Sequence, residues 1–160
     1  MAKKEEKTNV MRILEQKKIP FHSHTYASTG AISGTEVAEA LGQNPDQVFK
    51  TLVTQGASKS YYVFMVPVCE ELDLKKGAKA VGEKSIAMIK SKELLPLTGY
   101  IHGGCSPIGM KKPFPTYIDE TAQLFDAISV SAGKRGEQII LNADDLCRLT
   151  DAVYADLVAE

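Results

Sequence analysis

The chain has 160 residues, a hydrophobic fraction of 44%, a charged fraction of 24% and a net charge of −1, the proportions of a soluble globular protein able to bury a core without disulfides or metal, and too balanced to gather nucleic acid by a global positive field. Its three cysteines, Cys69, Cys105 and Cys147, are far apart and belong to no C-x-x-C pair or Cys/His cluster, which argues against a disulfide framework and against structural zinc. The charged start Met1–Lys7 has no apolar run behind it, so no signal peptide or membrane span is expected; residues 1–160 read as one cytoplasmic domain with a polar tail at 1–7.

Thr8 or Asn9 can cap a helix whose apolar positions Val10, Ile13 and Leu14 share one face, and Pro20 ends it. Phe21–Tyr26 reads as a short strand with Phe21, Ser23 and Thr25 on one face and His22, His24 and Tyr26 on the other. Two histidines at i, i+2 could ligate a metal, but no third ligand is near in sequence, and a solvated strand face is the expected role. Gly30–Gly34 is a loop; Ser33 and Glu36 form a capping-box pattern for a helix over Thr35–Leu41, stopped by Gly42.

Asn44-Pro45-Asp46 then makes a tight turn opening into a strand from Val48. Lys50 interrupts the apolar run and shares a face with Val48 and Leu52. Either that face meets water, or the ammonium is retained inward for an anionic partner. Gln55–Lys59 connects to Ser60–Pro67, apolar on both faces and hence the expected central strand. Leu72–Val81 reads as a basic-faced helix with Asp73 near its start, although Gly77 weakens it. Ser85–Ile89 suggests a strand, and Ser91 is expected to cap a short helix before Pro96.

Gly99–Gly109 carries Gly103-Gly104-Cys105-Ser106-Pro107, a loop whose backbone can approach a ligand and present bare N–H groups. Strands are expected at Thr116–Asp119, Ile128–Val130 and Ile139–Leu141, with a basic glycine turn, Ser131–Gly136, between the last two. Asn142 is placed to cap a final helix with Leu146, Leu149, Val153 and Leu157 inward. Without regular βαβ alternation, the fold reads as an α+β domain around a mixed sheet or barrel.

The chemistry these residues allow is narrow. Cys105 lies three residues after His102, but that spacing in a loop fixes no geometry, and a small buried packing residue is the ordinary reading. G-x-S-x-G and the Walker loop are both absent. Lys134-Arg135 between Gly133 and Gly136 could hold a phosphate or form a solvated turn. The residues alone support a small anionic-ligand site built from Lys50, a glycine loop and a basic turn.

Four segments in order, Asn44–Leu52, Leu72–Lys76, Gly103–Gly109 and Gly133–Gly136, resemble the bacterial Cys-tRNA(Pro)/Cys-tRNA(Cys) deacylases of the YbaK/EbsC group. That group is related to the editing domain inserted in bacterial prolyl-tRNA synthetases, and the likeness runs from Thr8 to Leu157. It implies a mixed, largely antiparallel, β-barrel-like sheet with surrounding helices, and hydrolysis of a mischarged aminoacyl-tRNA ester without metal or cofactor. The family's essential lysine falls on Lys50, its site tyrosine on Tyr26, its glycine loop on Gly103 and Gly104, and a small hydroxyl on Ser131. Thr51, Ser106, Pro107, Lys134 and Arg135, in or beside the same segments, are implied to contact substrate. Two departures stand out: Gln138 replaces an aspartate that relatives can carry, and Ser33 an aromatic.

The resemblance further implies that cysteine's own thiol attacks its ester carbonyl, with the protein supplying position and charge stabilisation. The implied partners are the acceptor end of mischarged tRNA and prolyl-tRNA synthetase, with no DNA and no membrane. Two alternatives stay open: an Ala-tRNA(Pro)-type deacylase, and a non-catalytic module that binds tRNA ends or nucleotides.

Overall fold

The computed structural model describes residues 7–26 and 34–159. Thr8 caps α1 (Asn9–Gln16), its hydroxyl accepting the Met11 N–H at 3.2 Å. β1 spans Phe21–Thr25 and α2 spans Gly34–Ala40. Ser33, and with it the expected capping box, lies outside the described residues. Asn44 accepts the Asp46 N–H and opens a 3-10 turn at Pro45–Gln47, which leads into β2 (Phe49–Gly56). β3 (Tyr61–Pro67) follows by a short hairpin.

Asp73 caps α3 (Leu74–Val81) by accepting the N–H groups of Lys75 and Lys76, and Gly82 ends it at φ 75°. β4 is Ile86–Met88 and α4 is Ser91–Thr98. Residue 90, rather than the expected Ser91, is the cap position, its N–H donated to the Glu93 carboxylate at 2.9 Å. Pro96 was expected to lie beyond this helix and instead sits inside it. The helix ends at Gly99, where φ is 85°, a conformation that glycine adopts without penalty.

The remaining elements are β5 (Thr116–Asp119), a 3-10 turn (Glu120–Leu124), β6 (Ile128–Ser131), β7 (Glu137–Leu141), α5 (Ala143–Thr150) and β8 (Val153–Ala155). Asn142 caps α5 through the Asp145 N–H. The sequence carries the apolar spacing on to Val153 and Leu157, yet the helix stops at Thr150. Asp151 takes φ 57°, and the chain turns to run parallel to β5. Val153 is therefore a strand residue, and Leu157 is fully buried in a different cluster from Leu146.

Two sheets result. β1-β7-β6 is antiparallel, whereas β4-β2-β3-β5-β8 is mixed, with β3–β5 and β5–β8 parallel. Antiparallel pairing predominates, as expected, but among the described residues no ring of strands closes into a barrel. A parallel bridge between Val48 and Ser129 joins the two sheets. β3 is the central strand, with Val63, Phe64, Met65 and Val66 fully buried on both faces. One face of β3 packs with α3, the other with α1, α4 and the small sheet.

Candidate functional site

The site begins as a gap in hydrogen bonding along β2. Antiparallel strands exchange backbone bonds only at alternate residues. The Val68 N–H to Val48 O bond and the Gly56 N–H to Ser60 O bond set that alternation, so the even residues of β2 bond to β3. The odd residues Phe49, Thr51 and Val53 turn their N–H and C=O to the other edge. There, among the described residues, β4 pairs only with Thr54–Gly56, aided by the Ile89 N–H to Val53 O bond, and β6 forms a backbone bridge only at Val48. The two neighbours splay apart, and a half-open cavity of about 380 Å³ fills the space between them.

Its walls come from distant parts of the chain. β2 gives the strip Phe49–Val53; Tyr26 follows β1; α2 gives Thr35 and Val37. Met88, Ile89, Lys90, Ser91 and Leu94 form the β4–α4 side; His102, Gly103 and Cys105 come from the glycine loop. Val130 and Ser131 from β6 and Glu137 and Gln138 from β7 complete it. The inner surface is mainly apolar, through Val37, Val53, Leu94 and Val130, with a few polar groups converging on it.

Two adjacent residues supply the most telling of these groups. Lys50 is about half-buried, its side chain 29% exposed, and Nζ stands 4.0 Å from the Glu71 carboxylate. Glu71 is itself 88% exposed, so water screens the pair and holds the ammonium only loosely. Thr51 Oγ1 is buried with no hydrogen-bond partner among the described residues. Buried hydroxyls are normally satisfied, so this oxygen is an anomaly next to the cavity that Thr51 lines.

The glycine loop and the basic turn are folded against each other. Gly103 takes φ 86° and lines the cavity. Gly104 does not line it: its N–H donates to the Ile101 carbonyl at 3.0 Å, and a Cβ there would stand 2.9 Å from the backbone N of Arg135. Of the two glycines, only Gly103 has an N–H without an acceptor among the described residues. Tyr100 steadies the far end of the loop, its hydroxyl donating to the Ile108 carbonyl at 2.5 Å.

The structure brings Tyr26, Lys50, Thr51, Gly103 and Ser131 to one cavity. Ser131 Oγ also accepts the Gly133 N–H at 3.2 Å, shaping the basic turn. Ser106 is fully buried, its hydroxyl accepting the Ile108 N–H, and Pro107 lines a second cavity of about 290 Å³ with Ile108 and Phe114. Lys134 and Arg135 are exposed on the turn and line neither cavity. His22 and His24 are exposed on β1.

Cys105 forms part of the wall. Burial pushes its thiol up to about 12, so near neutral pH it is a protonated packing group and not a nucleophile. Gln138 is buried and pairs reciprocally with Gln43, amide to amide, at 2.7 and 3.1 Å; Gln43 also reaches Ser129. Thr35, Val37 and Leu94 carry no motif that marks them as site residues, since only the tertiary fold brings them to this cavity.

Residues 30–149 match the aminoacyl-tRNA editing domain family. An Enterococcus faecalis protein named Cys-tRNA(Pro)/Cys-tRNA(Cys) deacylase EbsC is 49% identical over 163 aligned positions, covering 100% of this chain and 99% of that protein. A proline–tRNA ligase of Shouchella clausii is 30% identical over 63% of this chain and 18% of its own length. A crystal structure described as a trans-editing enzyme for prolyl-tRNA synthetase superposes with a TM-score of 0.82 at 29% identity, covering 94% of this chain and 95% of that one. The hypothetical protein APE2540 shares the fold, with a TM-score of 0.85 at 19% identity, over 94% and 99% of the two chains. With three quarters of its length inside the family match and a near-full-length relative, the chain belongs to the aminoacyl-tRNA editing domain family.

Proposed function

We propose that this protein is a trans-editing hydrolase that cleaves the aminoacyl ester of mischarged Cys-tRNA(Pro), with Cys-tRNA(Cys) as a further substrate. The observation that carries the reading is the half-open cavity in the split edge of β2, which gathers the Lys50 ammonium, Thr51 and the Gly103 backbone while the Cys105 thiol in its wall stays protonated. The name of the Enterococcus faecalis relative supports the choice of amino acid and tRNA.

In this reading the acceptor end of the tRNA enters between β4–α4 and the small sheet. Lys50 draws in and neutralises phosphate or ribose oxygens of the terminal nucleotide. The Gly103 N–H faces the oxygen of the scissile carbonyl, where an oriented donor is worth most as negative charge develops. Thr51 holds a polar group of the ester, and Tyr26 and Ser131 border the far wall. The attacking group is the substrate's own thiol, which loses its proton, bonds to the ester carbon and expels the tRNA 3′-oxygen, leaving a cyclic thioester and free tRNA. Prolyl-tRNA synthetase, the source of such mischarged tRNA, is the proposed partner.

The reading is tested by incubating purified protein with Cys-tRNA(Pro) and with correctly charged Pro-tRNA(Pro). Release of free tRNA from the first and not from the second is expected. Retained tRNA binding with no ester hydrolysis would instead make the protein a binding module.

A further inference from the structure

The basic turn between β6 and β7 invites the reading that Lys134 and Arg135 hold substrate phosphate. The geometry at Arg135 gives that residue a different task. Its Nη2 donates to the main-chain carbonyl of His102 at 2.7 Å. The guanidinium lies across Gly103, where an added Cβ would stand 3.0 Å from Nε. On the next residue, a Cβ at Gly104 would stand 2.9 Å from the Arg135 N and 3.3 Å from the Lys134 carbonyl carbon. The backbone of the turn can therefore close onto the loop because Gly104 lacks a side chain, and the Arg135 side chain lies close over Gly103. His102 and Gly103 line the cavity, and Arg135 does not. No carboxylate pairs with Arg135 among the described residues.

We propose that Arg135 is a positioning residue: with the backbone of its turn docked on Gly104, it clamps the His102 carbonyl and so fixes the Gly103 N–H toward the cavity. The inference rests on the deacylase reading above and deepens it by assigning what aims the loop. A planar guanidinium suits this because one Nη can hold a carbonyl while the rest of the plane covers the glycine. A loop held at one point only would let its N–H wander from the reacting oxygen, and misplacement by about 1 Å can cost on the order of 10² in rate.

The test compares two substrates, cysteinyl-tRNA(Pro) and 3′-cysteinyl adenosine, which has the ester but no phosphate. For Arg135→Ala, kcat is expected to fall by on the order of 10²-fold on both, by the same factor, with KM little changed. Arg135→Lys should recover part of the loss, since an ammonium can still donate to one carbonyl. Gly104→Ala changes no charge and should reproduce the loss of kcat. Thermal melting of the Arg135 variants should stay near wild type. A loss confined to the tRNA substrate and appearing in KM would overturn the proposal and make Arg135 a phosphate ligand. Inactive wild-type protein on both substrates would sink the deacylase reading itself. The clamp is then judged by amide exchange at Gly103: severalfold faster exchange in Arg135→Ala supports it, and unchanged exchange overturns it.

Discussion

At the scale of single residues, the proposed site rests on Lys50 and Thr51, whose polar groups are loosely held or unmatched among the described residues. A lysine whose ion pair, among the described residues, is 4.0 Å long and water-screened has its ammonium available to a ligand. Lys50→Ala is therefore expected to abolish deacylation while circular dichroism and melting stay unchanged. Lys50→Arg should restore little, because a planar fork does not fit where a compact ammonium does; near-normal turnover in the alanine variant would remove Lys50 from the mechanism. Cys105 gives the opposite expectation. Cys105→Ser should stay active, and an inactive variant would revive a protein nucleophile. The same thiol ties stability to alkaline pH. Burial raises its folded pKa from 9.0 to about 12, so the protonated form stabilises the fold fully below pH 9. That contribution is lost as pH rises from 9 toward 12, because the unfolded thiol ionises first. Cys105→Ala should lose stability less steeply across that window in urea titrations. Tyr100, also raised to about 12 by burial, should keep some slope in place; an unaltered slope would contradict the assignment to Cys105.

At the scale of elements, the cavity is a consequence of β4 and β6 meeting the same edge of β2 at opposite ends. Little of that is local information. The helix starts at Thr8 and Asn142 were legible because a cap is decided within three residues, whereas α3 was expected from Leu72 and begins at Leu74, after the Asp73 cap. The central position of β3 was legible because it is apolar on both faces. The end of α5 was not: Leu146, Leu149, Val153 and Leu157 keep helical spacing, and only pairing with β5, more than thirty residues away, draws the last part into a strand. The same limit hid the cavity walls, since nothing near Thr35, Val37 or Leu94 shows that the sheet splits beside them. Lys50 and the glycine loop could be read because a charge in an apolar strand and paired glycines are local anomalies. Gly77 shows packing overriding propensity. Inside α3 it is unfavourable, yet an added Cβ would stand 2.7 Å from Ile86 Cδ1 and 3.3 Å from the Phe64 ring. Gly77→Ala should gain about 1 kcal/mol in helix propensity and lose about 1–3 kcal/mol to overpacking. A net loss of about 1 kcal/mol is expected in urea denaturation, and a net gain would show that β4 yields easily.

At the scale of the whole molecule, a net charge of −1 limits how the protein meets tRNA. If it engages only the acceptor end, with roughly two to four phosphate contacts, log K should fall with log salt at a shallow slope. A slope that implies on the order of eight contacts would mean a footprint on the tRNA body. Weak binding with a shallow salt slope also fits delivery of substrate by a synthetase. The protein is proposed to position an aminoacyl ester so that the side chain of the esterified amino acid cleaves it. Intramolecular attack by a well-placed thiol can reach an effective molarity on the order of 10⁵ M or more, a serine hydroxyl is far less ionised near neutral pH, and alanine offers no nucleophile. The most direct measurement is single-turnover hydrolysis of one tRNA(Pro) charged in turn with cysteine, serine and alanine. Fast release of tRNA from the cysteinyl ester, with slow release from the other two, is the expected result; comparable rates for all three would contradict it and point to a water activated by the protein.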